Sequence, residues 1–112
     1  MNKYHATKRK IDGITFDSTK EAQRYLLLKE MAENGEIFEL QLQVVFELIP
    51  SQRINGKVAE RAVKYVADFV YIQNGETVVE DVKGCRRGQA YALFTIKRKL
   101  MLYRYGIRIK EI

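Results

Sequence analysis

The sequence predicts an α/β fold, a mixed central β-sheet flanked by helices, in the order helix, three-strand antiparallel meander, helix, strand. Three observations predict it. Asn74-Gly75 separates two runs rich in β-branched and aromatic residues, 66–72 and 77–82, which is the pattern of a two-residue hairpin. Apolar residues recur at helical spacing on either side of that hairpin, over residues 18–34 and 90–105. Residues 107–112 alternate apolar and charged side chains, as a half-buried strand does, and a strand reached through a helix is expected to run parallel to its neighbour. With 112 residues, 46% of them apolar, the chain has material for one domain and one modest core.

Residues 1–16 form a basic arm that carries Lys3, Lys8, Arg9 and Lys10. Asp12-Gly13 between Ile11 and Ile14 suits a short hairpin that could touch a phosphate backbone, the structural alternative being a poorly ordered terminus. Ser18-Thr19-Lys20-Glu21 opens the first helix, and Asn34-Gly35 stops it. Tyr25, Leu28 and Ala32 continue a stripe that passes through Glu21, which places this carboxylate at the core-facing edge of the first turn. Ser18 and Glu21 have the spacing of a capping box, so a structural role for Glu21 stands beside a functional one.

Residues 36–43 are mixed, and residues 44–49 read as a strand stopped by Pro50, the one proline of the chain. Residues 51–57 are turn chemistry, and the next strand starts near residues 59–63 and runs on into Asp68, with room for a bend or bulge near Arg61. Gln43 falls close to the start of the sheet, although its spacing assigns it nothing. At the Asn74-Gly75 hairpin a two-residue turn sets Gln73 against Glu76, and stepping down the ladder sets Val70 against Val79 and Asp68 against Asp81. Strand alternation then puts Asp68, Asp81 and Lys83 on one face and Glu80 on the other.

Like charges opposed in a sheet destabilise it unless a cation lies between them. A divalent metal supplies that charge, and carboxylate oxygens are the hard ligands Mg²⁺ prefers. Neutralisation by Lys83 alone, or a solvated face, is the structural alternative. Beyond Lys83, Gly84-Cys85-Arg86-Arg87-Gly88 is a flexible basic loop suited to phosphate contacts or, more plainly, a solvated charge run. The second helix is expected to bury Leu93, Ile96, Leu100 and Tyr103 and to end at Gly106, with Lys97, Arg98, Lys99 and Arg104 on a basic side and Lys97 turned toward the candidate site.

Twenty Lys and Arg against fourteen Asp and Glu give a net charge of +6, which favours a polyanionic partner such as nucleic acid. No stretch approaches a membrane span, and no apolar segment follows the basic terminus as in a signal peptide, so a cytoplasmic protein is expected. The single cysteine, Cys85, excludes an internal disulfide. Lys83, Arg86 and Arg87 beside it would lower its pKa, while an incidental loop thiol is the simpler reading. His5 is expected at the surface.

Asp68, twelve residues, then Asp81-Val82-Lys83, with an earlier helical glutamate, resembles the PD-(D/E)XK nuclease superfamily. Tyr65-Val66-Ala67-Asp68-Phe69 and Glu80-Asp81-Val82-Lys83-Gly84 are similar to its small phage and prophage Holliday-junction-resolvase-like endonucleases. The resemblance spans residues 16–106, with Ala67 where the family name has proline. It implies a restriction-endonuclease-like core and a Mg²⁺-dependent endonuclease, Mn²⁺ substituting, that cuts branched DNA to a 5′-phosphate and a 3′-hydroxyl. Glu21, Asp68, Asp81 and the carbonyl of Val82 would hold the metal, and Lys83 would position the attacking water and stabilise developing charge. Lys8, Arg9, Lys10, Arg86, Arg87 and Lys97 are the candidate DNA contacts. Resolvases act as symmetric dimers, so a homodimer is expected. The alternative function is a non-catalytic nucleic-acid-binding protein that keeps the nuclease fold.

Overall fold

The computed structural model describes residues 7–112, so Lys3, His5 and the start of the basic arm lie outside the described residues. The arm continues as a hairpin of β1 (Arg9–Ile11) and β2 (Ile14–Phe16), turned by Asp12 and Gly13 at φ of 55° and 77°. Both dihedrals are what a type I′ turn requires, and Gly13 takes its own without a side-chain penalty. Helix α1 (Thr19–Glu33) follows and ends at Asn34, as its start and stop signals indicate. The Ser18 hydroxyl accepts the Glu21 backbone N–H at 3.0 Å, which satisfies one of the free donors of the first turn. Glu21, Tyr25 and Leu28 are buried along one stripe of the helix, with Ala22 beside them.

The central sheet has the order β3 (Phe38–Ile49), β6 (Val63–Gln73), β7 (Glu76–Asp81), β8 (Lys110–Glu111). The first three strands form an antiparallel meander, and β8 joins β7 in parallel after helix α2 (Gly88–Tyr105), which is the mixed sheet the sequence predicts. The hairpin register agrees from Gln73 opposite Glu76 down to Phe69 opposite Glu80, but the expected pair of Asp68 with Asp81 does not form, because the ladder ends one step short of it. β3 begins six residues earlier than the expected strand at 44, because residues 38–43 pair with the far half of β6. The expected run from residue 59 into Asp68 is broken at Arg61-Ala62. Residues on its near side instead form β5 (Lys57–Glu60), which pairs with β4 (Gln52–Ile54) in a separate two-stranded ribbon.

Each helix covers one face of the sheet over its own cluster. Ala22, Tyr25 and Leu28 of α1 pack with Phe16, Ile37, Phe69 and Tyr71, while Phe94 and Met101 of α2 pack with Leu48, Tyr65, Ala67, Val70 and Val79. These memberships carry a break in the pleat. Ala67 faces α2 but Phe69 faces α1, and across the ladder Leu42 faces α1 but Val44 faces α2. In an unbroken strand, residues two apart share a face. The reversal therefore falls on Gln43 and Asp68, and Gln43 has a φ of 54°, a left-handed conformation uncommon for a residue with a Cβ.

The expected buried stripe of α2 is a correction. Leu93 (53% exposed), Ile96 (56%) and Tyr103 (89%) face outward, and Phe94 and Met101 are buried, with Tyr91 and Leu100 partly so. The helix is apolar on several sides, so periodicity alone selects no single stripe. Gly106 closes α2 at φ 68°, and the Tyr105 hydroxyl donates to the Glu47 carbonyl at 2.6 Å, tying the helix end to β3.

Candidate functional site

The pleat reversal is what opens the site. Where both strands change face, Asp68 leaves the regular ladder, and its Oδ2 accepts the backbone N–H of Val82 at 2.8 Å from the end of β7. The side chain thus continues the pairing that the backbone stops making after Phe69 and Glu80. Its neighbour in the reversal, Gln43, donates to Asp68 Oδ1 at 3.2 Å and to Glu21 Oε1 at 3.4 Å. Only half of the expected capping box forms at Ser18, because the Glu21 carboxylate is turned to Gln43. Gln43 is therefore a site residue that spacing did not assign.

Glu21, Asp68, Asp81 and Val82 line a cavity of about 500 Å³ together with Thr7, Asp17, Lys20 and Gly84. Asp81 lies at the last position of β7, and its two oxygens have separate partners. The Tyr65 hydroxyl donates to Oδ2 at 2.6 Å, and the Lys83 ammonium lies 2.9 Å from Oδ1. The same ammonium sits 3.5 Å above the centre of the Phe94 ring, so Lys83 is held from two sides. Lys20 donates to the Lys83 carbonyl at 2.8 Å, bracing the first turn of α1 against the strand end. A shallower groove of about 280 Å³ begins on the other side of Asp81 and is lined by Lys64, Lys83, Lys97, Leu93 and Phe94. Lys97 accordingly reaches the neighbourhood of the site, as its helical position suggests.

Charge is unevenly balanced in the cavity. Glu21 is 8% exposed, and burial together with Asp68, Asp17 and Asp81 pushes its carboxyl up to about 7. Burial also raises Asp68, against the lowering effect of the Val82 N–H. Among the described residues, no group of three or more Asp, Glu, His or Cys side chains is gathered around one point as the structure stands. The carboxylates sense one another without converging, because Val82, Gln43, Tyr65 and Lys83 each engage an oxygen. The side chains are nonetheless chemically those a hard divalent cation prefers, with Glu21, Asp68 and Asp81 lining one cavity to which Val82 also contributes.

A family model described as a protein of unknown function, DUF1064, matches residues 1–111. The chain belongs to the DUF1064 family. Neither the curated proteins nor the solved structures gave a match to it. Among the described residues of this family member, no helix is long and apolar enough to cross a membrane.

The other candidate residues are placed less centrally. Arg9 and Lys10 are exposed on β1, and Lys8 precedes them, next to the cavity-lining Thr7. Arg87 is the exposed N-cap residue of α2. Arg86 is drawn back onto β8, 3.6 Å from Glu111 and donating to the Ile112 carbonyl. Cys85 is an exposed free thiol whose Sγ donates to the Arg87 carbonyl.

Proposed function

We propose that this protein is a metal-dependent endonuclease that hydrolyses phosphodiester bonds in DNA, with branched DNA as its substrate. The observation that supports this most is the meeting, at one cavity, of Glu21 from a helix and Asp68 and Asp81 from two strands, with Lys83, which lines the adjoining groove, ion-paired to Asp81. Those acids are separated in sequence and brought together at a break in the sheet that a purely structural fold does not require. The resemblance of the same residues to the PD-(D/E)XK pattern supplies the reaction class and the preference for branches.

In this reading Glu21, Asp68, Asp81 and the Val82 carbonyl would hold Mg²⁺, which would supply Lewis-acid neutralisation of phosphate charge. Lys83 is kept in place by Asp81 and the Phe94 ring, so its ammonium needs little reorganisation to meet charge developing on the phosphate. Gln43 keeps Asp68 and Glu21 in fixed relation, and Tyr65 orients Asp81. Water adds to phosphorus, the bond to the 3′ oxygen breaks, and a 5′-phosphate and a 3′-hydroxyl remain. A symmetric dimer would cut both strands of a junction.

The test is incubation of labelled four-way junction, flap and linear duplex with the protein in Mg²⁺, in EDTA, and with Asp81→Asn. Mg²⁺-dependent cleavage that disappears in the variant is the expected result. Binding without cleavage under every metal condition would assign the protein instead to non-catalytic nucleic-acid binding.

A further inference from the structure

The ribbon of β4 and β5 is the part of the molecule that the fold itself does not use. Every residue from Pro50 to Arg61 is exposed. The turn Asn55-Gly56, with φ of 53° and 77°, gives it the tight type I′ geometry of a rigid hairpin, and the Arg53 guanidinium folds over that turn to donate to the Gly56 carbonyl at 3.0 Å. The chain is also more extended than its length requires. Its radius of gyration is 16.1 Å and its dimensions are 52 × 43 × 26 Å, where a compact domain of this size has a radius of gyration of about 13 Å.

An isolated two-stranded ribbon gains little stability of its own in water, and apolar side chains at its end gain none unless something covers them. Yet Ile54 and Val58 are 66% and 50% exposed near the turn, next to Lys57 and Arg53 as their cross-strand partners. The cations Arg53, Lys57 and Arg61 face one acid, Glu60, in this stretch. Lys64, which lines the groove beside Asp81 with Lys83 and Lys97, follows Arg61 by three residues, so further cations lie along the chain between the site and the ribbon.

We infer that the ribbon is a DNA-contacting arm that enters the major groove of the duplex beside the site of cleavage. This rests on the endonuclease reading above. The partner follows from shape and charge. The major groove, about 12 Å wide, admits a two-stranded β-ribbon as it stands, whereas the minor groove, about 6 Å wide, takes one only when the duplex is bent or widened. Arg53 and Val58 share one face of the ribbon and Ile54 and Lys57 the other, so each face offers a cation to a phosphate and an apolar side chain to a base edge such as a thymine methyl group. A second copy of the chain is the less suitable occupant, since it would bring two cationic ribbons together. At about 3.3 Å per strand residue and about 3.4 Å per base pair, an extended path from Asp68 to the base and tip of the ribbon reaches at most about eight to twelve base pairs from the cut.

The experiment compares binding of a labelled duplex of about 30 base pairs by the Asp81→Asn protein and by the same protein with either Arg53→Ala and Lys57→Ala or Ile54→Ser and Val58→Ser. The cationic pair is expected to weaken binding by on the order of tenfold and to flatten the slope of log affinity against log salt by about two. The apolar pair is expected to weaken binding by a similar factor with the slope unchanged. A hydroxyl-radical footprint on a junction should lose protection within about eight to twelve base pairs of the branch in both, and the mass in sedimentation should stay that of the parent. If the parent binds and both variants bind equally well with the same footprint, the ribbon inference fails alone. Should the parent itself not bind DNA, the endonuclease reading fails and the inference with it. Loss of binding accompanied by a fall from dimer to monomer would make the ribbon a contact between copies and overturn its assignment to DNA.

Discussion

Glu80 and Asp81 are neighbours on β7, and the two faces of the sheet treat them in opposite ways. Glu80 is 0% exposed beneath α1, where the Arg24 guanidinium holds it in two parallel bonds and the Tyr71 hydroxyl donates to the same carboxylate. One acid there meets one guanidinium, in the fork geometry that suits a buried carboxylate. On the other side of the strand Asp81 shares its cavity with Asp68, Glu21 and Asp17, with Lys83 as its ion-paired cation. A buried acid with a matched partner marks a structural clamp. Several acids crowded about fewer cations at a solvent-accessible cavity mark a place whose charge is completed from outside.

The clamp also serves the site, since Arg24 lies one helical turn beyond Glu21 and its bond to Glu80 sets α1 against the strand that carries Asp81. The largest effect that can separate the two faces is on cleavage. Asp68→Asn, Asp81→Asn and Lys83→Ala are each expected to lower the cleavage rate by about a thousandfold or more while the far-ultraviolet spectrum stays that of the wild type. Cleavage retained by Asp81→Asn would remove this strand face from the active site. Glu80→Gln, by contrast, is expected to cut DNA at a rate within about tenfold of the wild type, because its side chain touches no part of the cavity. Equal loss in the two variants would mean that the faces are not functionally distinct.

Stability should show the reverse order. Glu80→Ala leaves the half-buried Arg24 without its partner and is expected to cost about 3–5 kcal/mol in urea denaturation, whereas Asp81→Asn costs far less. A smaller stability effect belongs to Glu21. Its folded carboxyl titrates at about 7 rather than at 4.5, so between those values the native state binds more proton than the unfolded chain. Stability contributed by the protonated form is therefore present below about 4.5 and lost as pH rises through 7. Glu21→Gln, which cannot ionise, should exceed the wild type at pH 8 by at most about 3 kcal/mol and show no advantage at pH 4. Thermal unfolding at the two pH values in EDTA checks the sign. Millimolar Mg²⁺ should raise the wild-type midpoint and narrow that advantage, if the native site binds the ion.

The smallest effect concerns the loop after Lys83. Each lost phosphate contact flattens the salt dependence of duplex binding by about 0.9. Arg87→Ala is expected to show that change, and Arg86→Ala less of it, because Glu111 and the Ile112 carbonyl already hold that side chain. Equal changes for the two arginines would mean that Arg86 leaves β8 when DNA binds.

Local chemistry made much of this architecture legible in the sequence. Ser18, Asn34-Gly35 and Gly106 bound the helices because capping and left-handed dihedrals depend on a few adjacent residues. Asn74-Gly75 determined the register of β6 against β7, since a two-residue turn leaves one way to pair the strands on either side. The same arithmetic brought Asp68 near Asp81 and turned Glu80 away from both. Tertiary structure decided what local rules leave degenerate. α2 has apolar residues on several sides, so packing against Leu48, Tyr65, Val70 and Val79 of the sheet, not the helix period, chose Phe94 and Met101 over Leu93 and Ile96. Alternation predicts one face for Ala67 and Phe69, whereas the pleat reversal at Gln43 and Asp68 puts Ala67 in the cluster under α2 and Phe69 in the cluster under α1. The pairing of Arg24 with Glu80 across 56 residues, and of Gln43 with both Glu21 and Asp68, likewise requires α1 to be docked, because a side chain's partner at that separation is set by packing and not by its neighbours in the chain.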